Sequence, residues 1–364
     1  MKTKLPAIDL GGKPLGRGSR PLILAEMSGN HNGSLDRALE LLRAAAANGA
    51  DAIKLQTYTP ATLTIDSRRP EFFIEDPGSL WHGRRLWELY DEAHTPWEWH
   101  KPIFDAARAA GLACVSTAYD LSSLEFLLEL GVDAVKIASF ELIHIPLIEA
   151  AAQSGKPLLV STGMASEGEI DDAVAAMRRG GCERFVLLKC TSAYPSTEAD
   201  ANLKTMLDMA RRHRCEVGLS DHTVRPHTAY AATALGASIV EKHFTLARAD
   251  GGVDSAFSLE PAELRELAQG TELVWRSLGS TRYGVRPSEE TSLKERASIY
   301  VVKPVKKGEK FTERNTRIIR PSNGLAPKHF RAVLGKKSAR DLAGETPLSW
   351  DMLADSTSKK KNRG

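Results

Sequence analysis

The architecture of this chain can be worked out from two short stretches, Leu219-Ser220-Asp221-His222-Thr223 and Ile239-Val240-Glu241-Lys242-His243-Phe244. Each is strand-like, largely apolar and contains a histidine near its end, and a helix-like run over 226–235 separates them. Parallel strands joined by a helix bring their C-terminal ends together. The pattern therefore predicts that His222 and His243 lie side by side. Two adjacent imidazoles are the beginning of a metal site, although two unrelated histidines with backbone partners explain these stretches equally well.

The same alternation of strand and helix extends over most of the chain. Strand-like runs fall near 22–27, 52–57, 112–117, 134–139, 158–162, 185–191, 216–221 and 238–244, and helix-like runs near 34–48, 97–110, 120–130, 145–154, 166–179, 200–212, 226–235 and 261–277. Eight such units over about 255 residues predict an α/β fold, the (β/α)8 TIM barrel. The alternative is an open doubly wound sheet, but no composition break divides the units and no G-x-G-x-x-G follows the first strand.

The chain divides into a large and a small predicted domain. Gly11-Gly12 between short apolar pieces predicts an N-terminal hairpin ahead of the barrel, and together these occupy residues 1–280. The polar segment 281–297 is predicted to be a linker, and 298–354 a small β-rich domain of short strands and turns. A core of that size is expected to dock onto the barrel or a partner subunit. The basic tail, 355–364, is predicted to be disordered.

Composition excludes several classes of function. The net charge of the 364 residues is only +3, and the basic tail has no interleaved aromatic residues, so no nucleic-acid partner is expected. No apolar run approaches the roughly 20 residues of a membrane span, and the N-terminus lacks the apolar core of a secretory signal. Four cysteines lie without CxxC spacing, and Cys114 and Cys190 sit in apolar runs typical of small core residues. A cytoplasmic protein with no membrane partner is expected.

Polar residues cluster at the C-terminal ends of the predicted strands, which form the active rim of a barrel. They are Glu26, Lys54, Gln56, Thr117, Lys136, Ser139, Glu141, Ser161, Lys189, Ser192, Tyr194, Ser220, His222, Glu241 and His243. Burying a charge in an apolar strand is costly unless it is paired or liganded. Charges on so many strands at one rim therefore indicate a functional site. For single members the choice stays open, since Lys189 and Glu241 could pair with each other or face the outer helices.

The residue types indicate an anion site beside a metal site. Lys54 and Lys136, surrounded by hydroxyl groups, suit a small anion that carries phosphate. Ser161-Thr162-Gly163 before a helix offers hydroxyl and backbone N–H groups to the same anion, although Ser161 alone is equally typical of a helix N-cap. Two histidines with Glu26 or Glu141 nearby would bind a divalent ion. No cysteine ends strands seven and eight, which disfavours structural zinc and leaves Mn²⁺, Mg²⁺ or Fe²⁺.

Eight motifs mark the rim of the predicted barrel and the small domain. They are Glu26-Met27-Ser28-Gly29-Asn30-His31-Asn32-Gly33, Lys54-Leu55-Gln56-Thr57-Tyr58, Lys136-Ile137-Ala138-Ser139-Phe140-Glu141, Ser161-Thr162-Gly163-Met164, Cys190-Thr191-Ser192-Ala193-Tyr194-Pro195, Gly218-Leu219-Ser220-Asp221-His222-Thr223, Glu241-Lys242-His243-Phe244 and Ile319-Arg320-Pro321-Ser322-Asn323-Gly324. With these motifs the chain, from Ile8 to Leu353, resembles the sialic acid synthase family, whose members join a metal-dependent barrel to a small antifreeze-like (SAF) domain. The runs at 89–100 and 251–261 resemble the pseudaminate branch of the family. Ser322 stands where the family commonly has glycine.

The resemblance implies a reaction. In this branch phosphoenolpyruvate condenses with a 2,4-diacetamido-2,4,6-trideoxy-altrose, giving a nine-carbon keto acid and phosphate. The alternative within the family is a synthase of N-acetylneuraminate or legionaminate, which uses a different N-acetylated hexose. The family also implies a homodimer in which the SAF domain of one subunit covers the active site of the other.

The resemblance also implies a role for each site residue. Phosphoenolpyruvate contacts match Lys54, Thr117, Lys136, Ser139, Ser161, Ser192 and Ser220. Sugar-side positions match Glu26, Gln56, Tyr194 and Asp254, together with Arg320, which a partner subunit would supply. The implied metal ligands are His222 and His243, with Mn²⁺ preferred and Mg²⁺ or Co²⁺ as alternatives. Glu26, Glu141 and the two histidines form the implied catalytic group, with Glu141 as the base acting on water.

Two other classes of function remain open at this point. One is an aldolase with a Schiff-base lysine, for which Lys136 or Lys189 is the candidate. The other is a non-catalytic sugar-binding protein whose small domain is the binding module. The aromatic segment 72–99 is interpreted as a flap packed on the rim. A sharper hypothesis is that Phe72, Phe73 or Trp81 shapes a pocket for a 6-deoxy sugar.

Overall fold

A computed structural model describes residues 5–354 and begins with the hairpin that the sequence predicts. Strands β1 (Ile8–Leu10) and β2 (Lys13–Leu15) pair antiparallel across Gly11-Gly12. Both glycines have positive φ, 58° and 84°, as tight hairpin turns require. Leu10 and Leu15 are buried in one apolar cluster with the inward residues at the start of the barrel strands. The hairpin therefore completes the core at the N-terminal end of the barrel.

Eight parallel strands form a closed barrel in which each strand pairs with the next along the chain and the last pairs with the first. The strands are β3 (Leu22–Glu26), β4 (Ala52–Thr57), β5 (Ala113–Ala118), β6 (Ala134–Ile137), β7 (Leu158–Ser161), β8 (Phe185–Cys190), β9 (Glu216–Asp221) and β10 (Ile239–His243). The predicted closed barrel is confirmed. The open doubly wound sheet is excluded because β10 and β3 are hydrogen-bonded neighbours.

Most of the helices of this part of the chain pack around the outside of the barrel. They are α1 (Leu35–Ala47), α2 (Pro60–Leu63), α3 (Leu86–Ala93), α4 (Trp97–Ala109), α5 (Leu121–Glu129), α6 (Ile145–Gln153), α7 (Glu167–Arg179), α8 (Lys204–His213), α9 (His227–Ala234) and α10 (Pro261–Leu278). A second apolar cluster, which includes Leu41, Ile53, Phe104 and Leu187, fills the layer between strands and helices. None of the helices in residues 5–354 is long and apolar enough to span a bilayer.

The chain divides into two compact units between Gly279 and Ser280. The second unit contains short helices α11 (Glu290–Leu293) and α12 (Phe330–Val333) and the antiparallel strands β11 (Ser298–Val301), β12 (Thr316–Ile319) and β13 (Thr346–Pro347), in the order β12-β11-β13. Its core is built by Ile299, Val301, Phe311 and Leu348, among others. The predicted linker segment contains α11, and the predicted disordered tail, 355–364, lies outside the described residues.

Candidate active site

The site follows from the alternation of side chains along the barrel strands. On each strand every second residue points inward. Low in the barrel these inward residues are apolar, for example Leu24, Val115, Leu159 and Leu188. The next inward residues along the strands are polar: Glu26, Lys54, Thr117, Lys136, Ser161, Cys190, Ser220 and Glu241. One step of two residues therefore separates the packed core from the site at the C-terminal rim.

Two lysines and two glutamates form an ion-pair cluster at the centre of this layer. Lys54 Nζ contacts the Glu26 carboxylate, lies 3.4 Å from Glu241 Oε1 and donates a hydrogen bond to Thr117 Oγ1 at 3.2 Å. Lys136 Nζ lies 3.8 Å from Glu241 Oε2 and donates to Ser161 Oγ at 2.7 Å. All four charged side chains are at most 5% exposed. The cluster is therefore buried and internally compensated.

Lys189 is not part of the cluster. Lys189 lies between Leu188 and Cys190, which face the barrel interior, and therefore points to the opposite face of β8. It shares that face with Leu187, which packs beneath the outer helices. Its Nζ donates to the Cys190 carbonyl oxygen at 2.6 Å. The considered Lys189–Glu241 pair is therefore wrong, because the pleat of β8 turns Lys189 away from the interior.

The two lysines differ in how well their charges are compensated. Burial lowers the pKa of both amines, but the carboxylates of Glu241 and Glu26 outweigh burial at Lys54 and raise its pKa. At Lys136 burial prevails and the pKa falls below its usual value. For Glu241 burial is outweighed by Lys136 and Lys54, which lower the pKa of that carboxyl. Lys136, with one carboxylate at 3.8 Å, is thus the cation with most to gain from a bound anion.

A second group of small residues surrounds the end of β7. The Gly163 N–H donates to Ser139 Oγ at 3.0 Å. A Cβ at position 163 would overlap the hydroxyl oxygen of Ser192 and lie 2.7 Å from that of Ser139, so any larger residue would displace these hydroxyl groups. Hydroxyl groups from three successive strand ends, together with a backbone N–H, therefore converge near Lys136, as an oxyanion requires.

His222 and His243 lie side by side, as the topology predicts. Their ring centroids are 5.3 Å apart. His222 Nδ1 donates to the Thr191 carbonyl oxygen at 2.8 Å, which orients the ring and leaves the other nitrogen directed away from that bond. His243 is buried, and burial holds its pKa well below the usual value. Its Nδ1 is buried without a hydrogen-bond partner in the described part of the chain, and lies 3.7 Å from Asp254 Oδ2.

These two imidazoles fit a divalent ion as a pair of ligands. The unsatisfied Nδ1 of His243 and the backbone-oriented ring of His222 are features of metal-binding histidines. Within residues 5–354, however, no group of three or more His, Cys, Asp or Glu is arranged to hold a metal. The protein would therefore contribute two nitrogen ligands and leave the other positions open to water or substrate.

Cys190 is a site-lining residue that the sequence placed in the core. It is buried, as predicted, but it faces the rim beside His222 rather than the apolar layer. Burial opposes ionisation of the thiol, yet His222 lowers the pKa of Cys190 to about 7. The sequence could have indicated this position, because Cys190 lies two residues after the inward-facing Leu188 on β8. It also pairs in register with Ser220 on β9.

A polar network lies on the opposite side of Lys54. Gln56 Nε2 donates to Glu26 Oε1 and to Ser28 Oγ, both at 3.1 Å. Ser28 Oγ donates in turn to Asp254 Oδ2. The structure therefore brings together Glu26, Gln56 and Asp254, which were predicted sugar-side residues, and adds Ser28, which was not predicted.

Aromatic residues close this side of the site. The Tyr194 ring lies 4.4 Å from that of His222, 5.4 Å from Phe257 and 5.7 Å from Trp81, centroid to centroid. Trp81 Nε1 donates to the Val253 carbonyl oxygen at 2.9 Å, which ties the 60–96 segment to the loop after β10. Of the three aromatic residues considered for a sugar pocket, Trp81 lies against Tyr194. Phe257 was missed because its loop carries no strand or helix pattern.

Two predicted site residues stand apart from the central cluster. Glu141 lies in a short 3₁₀ turn after β6, half-buried, and burial raises its pKa to about 7 although Lys136 opposes the shift. Arg320 follows β12 in the second unit, where its side chain is exposed. Arg320 is the one predicted site residue outside the barrel unit.

Glu141→Gln is expected to change how the free energy of unfolding depends on pH. The pKa of Glu141 rises from 4.5 to about 7 on folding, so the folded chain holds this proton more tightly and loses stability as the pH rises through that range. Glutamine removes this loss, so the variant should gain on the order of 2 kcal/mol relative to the unaltered chain between pH 4.5 and pH 8. Urea denaturation at both pH values measures it. The exposed Glu75→Gln is the control, and an identical pH dependence in both variants would contradict the assignment.

Comparisons with known proteins give consistent results over both units. The chain matches the NeuB family over residues 41–283 and the SAF domain over residues 296–354. It is 41% identical over 334 residues to the pseudaminic acid synthase of Helicobacter pylori, covering 91% of this chain and 97% of that one. It is 33% identical over 326 residues to the N,N'-diacetyllegionaminic acid synthase of Campylobacter jejuni, covering 88% and 97%.

Solved structures agree with the fold. The N-acetylneuraminic acid synthetase of Leptospira borgpetersenii, crystallised with citrate, superimposes with a TM-score of 0.71 at 31% identity. The match covers 80% of this chain and 97% of that one. The residues of the rim cluster therefore lie on a barrel shared with a protein of related sequence.

Proposed function

Because this chain belongs to the NeuB family and carries a SAF domain, we propose that it is a pseudaminic acid synthase. The reaction condenses phosphoenolpyruvate with 2,4-diacetamido-2,4,6-trideoxy-altrose and releases pseudaminate and phosphate. The observation that carries the choice of sugar is the higher identity to the Helicobacter pylori pseudaminic acid synthase than to the legionaminic acid synthase. A sugar-binding protein without catalysis would not need buried lysines at the rim.

Phosphoenolpyruvate fits the anion site around Lys136. Its phosphate and carboxylate can replace the weak 3.8 Å contact with Glu241 as partners of the Lys136 ammonium. The surrounding donors would be the remaining predicted contacts: Lys54, Thr117, Ser139, Ser161, Ser192 and Ser220. Because Lys54 is already paired with Glu26 and Glu241, it mainly keeps the added anion from being repelled by those carboxylates.

His222 and His243 would hold a divalent ion, with Mn²⁺ as the first choice and Mg²⁺ or Co²⁺ as alternatives. When bound, such an ion supplies a Lewis acid for the carbonyl oxygen of the open-chain sugar. The residues themselves support this assignment through the unsatisfied Nδ1 of His243 and the orienting bond from His222 to Thr191. Burial keeps His243 neutral, which is the ligand form of the ring.

The chain's own residues can bind and orient both reactants. The methylene carbon of phosphoenolpyruvate attacks the aldehyde carbon, and the aldehyde oxygen takes up a proton. Water adds to the resulting cationic C2, and one of its protons passes to a base. The C2–O bond to phosphate then breaks while the C2 hydroxyl gives its proton to the departing phosphate, which leaves the ketone. Glu141, whose pKa is about 7, exists in both its ionised and its protonated form near neutral pH, so a carboxylate is available there to act as the base. Glu26, buried against Lys54 and Gln56, holds the sugar side.

A homodimer completes the proposal. In this homodimer the small domain of the partner subunit covers the active site and supplies Arg320 across the interface. Phe140, Ile143 and Met164, which follow β6 and β7 at the rim, are 60–65% exposed, and apolar residues exposed together are typical of a covered surface. Arg320 is exposed and so can reach a partner.

We also propose a cytoplasmic location for the protein. All four cysteines are free thiols, which supports this location.

The substrate test uses purified enzyme, Mn²⁺, phosphoenolpyruvate and a panel of N-acetylated hexoses. Phosphate release and a product of the mass of pseudaminate are expected only with the diacetamido altrose. Preference for N-acetylmannosamine or for the legionaminate precursor would overturn the choice of sugar. A borohydride-trapped substrate adduct on Lys136 would instead favour the aldolase alternative.

A further inference from the structure

Ser28 has a backbone conformation that its residue type disfavours. It is the second residue after the end of β3, and its φ is 50°, in the left-handed region that glycine tolerates. Its side chain is buried, at 2% exposure. A non-glycine residue keeps such a conformation only where its surroundings hold it in place, and these positions concentrate at functional sites. Ser28 therefore needs an explanation from its contacts.

The hydroxyl of Ser28 links three elements that are distant in sequence. It donates a hydrogen bond to Asp254 Oδ2 in the loop after β10. It accepts a hydrogen bond from Gln56 Nε2 on β4 at 3.1 Å, and the same amide donates to Glu26 Oε1 on β3. One donor and one acceptor function of the hydroxyl are thereby used. Ser28 is therefore the residue that bridges Gln56 and Asp254 within the network.

The Asp254 carboxylate relies on Ser28 for its hydrogen bonding. The residue is 8% exposed, and Ser28 gives its carboxylate the one hydrogen bond that residues 5–354 provide. Asp254 Oδ2 also lies 3.7 Å from His243 Nδ1. Burying a carboxylate with a single donor is unfavourable unless further donors arrive. Hydroxyl and acetamido N–H groups of an amino sugar are such donors.

We propose that Ser28 is a positioning residue for the sugar substrate, which holds the Asp254 carboxylate and the Gln56 amide in the orientation that binds the sugar's polar groups. The inference rests on the proposed synthase function and adds to it a determinant of sugar recognition. The anion site around Lys136 lies on the other side of Lys54 and shares no hydrogen bond with Ser28. Ser28 reaches Lys54 only indirectly, through Gln56 and Glu26, so its effect is expected mainly on the sugar.

Two substitutions separate the hydroxyl from the backbone. Ser28→Ala keeps the Cβ and removes the hydrogen bonds, and it should raise the KM for the diacetamido altrose about tenfold while the KM for phosphoenolpyruvate stays within about twofold. Ser28→Gly removes the hydroxyl as well but suits the left-handed φ. It should show the same change in sugar KM, and it should melt about 2–4 °C higher than Ser28→Ala.

The outcomes distinguish this proposal from the proposed function. Normal turnover by the unaltered enzyme, combined with an unchanged sugar KM in both variants, overturns the role of Ser28 alone. An equal rise in both KM values also overturns it, because that is the result of a merely structural role. Absence of turnover of the diacetamido altrose by the unaltered enzyme overturns both proposals together. If Ser28→Ala does not fold, Ser28→Gly alone gives the comparison of the two KM values.

Discussion

Replacement of His222 by alanine is expected to abolish phosphate release from phosphoenolpyruvate and the diacetamido altrose. The substitution removes one of only two imidazoles that the described residues offer to a divalent ion. Loss of Lewis-acid stabilisation worth several kcal/mol corresponds to about a 1,000-fold or larger fall in kcat. The measurement is initial-rate phosphate release with saturating Mn²⁺.

The anion site should survive this substitution. The hydrogen bonds of Lys136 run to Ser161 and to the Ile137 carbonyl, none of them through His222, so calorimetric binding of phosphoenolpyruvate should persist. Exposed His82→Ala is the matched control and should keep full activity. Chelation by EDTA should inactivate the unaltered enzyme, and added Mn²⁺ should restore it. Turnover retained in His222→Ala would remove the histidine pair from the metal assignment.

Strand phase explains how much of this site the sequence could predict. Glu26, Lys54, Thr117 and His243 fall on inward positions because each lies an even number of residues from an apolar residue of the inner cluster on its own strand, such as Leu24 on β3 or Val115 on β5. Such counting needs only the period of two along a strand. The closed order of the strands then places their ends together, so most of the rim cluster could be predicted, although Lys189 was wrongly included and Cys190 was assigned to the core.

The contacts between side chains of different strands and loops could not be predicted in the same way. Glu241 meets Lys54 and Lys136 across the barrel interior, and which cation it reaches depends on side-chain reach in three dimensions. Ser28 and Phe257 lie in segments without a strand or helix period, and their partners are 226 residues and up to 63 residues away along the chain. Loop contacts of this kind carry no local signal in a single sequence.

Lys242→Met is expected to lower the free energy of unfolding of the barrel by about 3–5 kcal/mol. Lys242 and Asp221 are paired in register on β10 and β9, one residue before each histidine, and face the outer layer. Lys242 Nζ lies 3.0 Å from Asp221 Oδ2 and also donates to the Thr223 carbonyl oxygen. Both side chains are at most 2% exposed, so methionine leaves a buried carboxylate without its cation.

A second Lys–Asp pair gives the matched control. Lys101 Nζ lies 2.7 Å from Asp105 Oδ2 on α4, which is closer than the buried pair, but the side chains are 71% and 56% exposed. Solvent screens that attraction, so Lys101→Met should change the free energy of unfolding by no more than about 0.5 kcal/mol. A larger effect at the shorter, exposed pair would contradict the argument from burial. Urea denaturation followed by circular dichroism measures both variants.

The double variant Asp221→Asn, Lys242→Met tests the cause of the loss. The asparagine side chain would keep an oxygen to accept the Thr223 N–H, which Asp221 Oδ1 accepts at 2.9 Å, but would carry no charge. If the loss in Lys242→Met comes from the stranded carboxylate, the double variant should recover about 2 kcal/mol of it. If the double variant recovers nothing, the lost free energy of unfolding comes instead from the packing of the Lys242 side chain. Recovery of stability without recovery of activity would indicate that the ion pair also fixes the spacing of His222 and His243, because it joins the two strand ends that carry them.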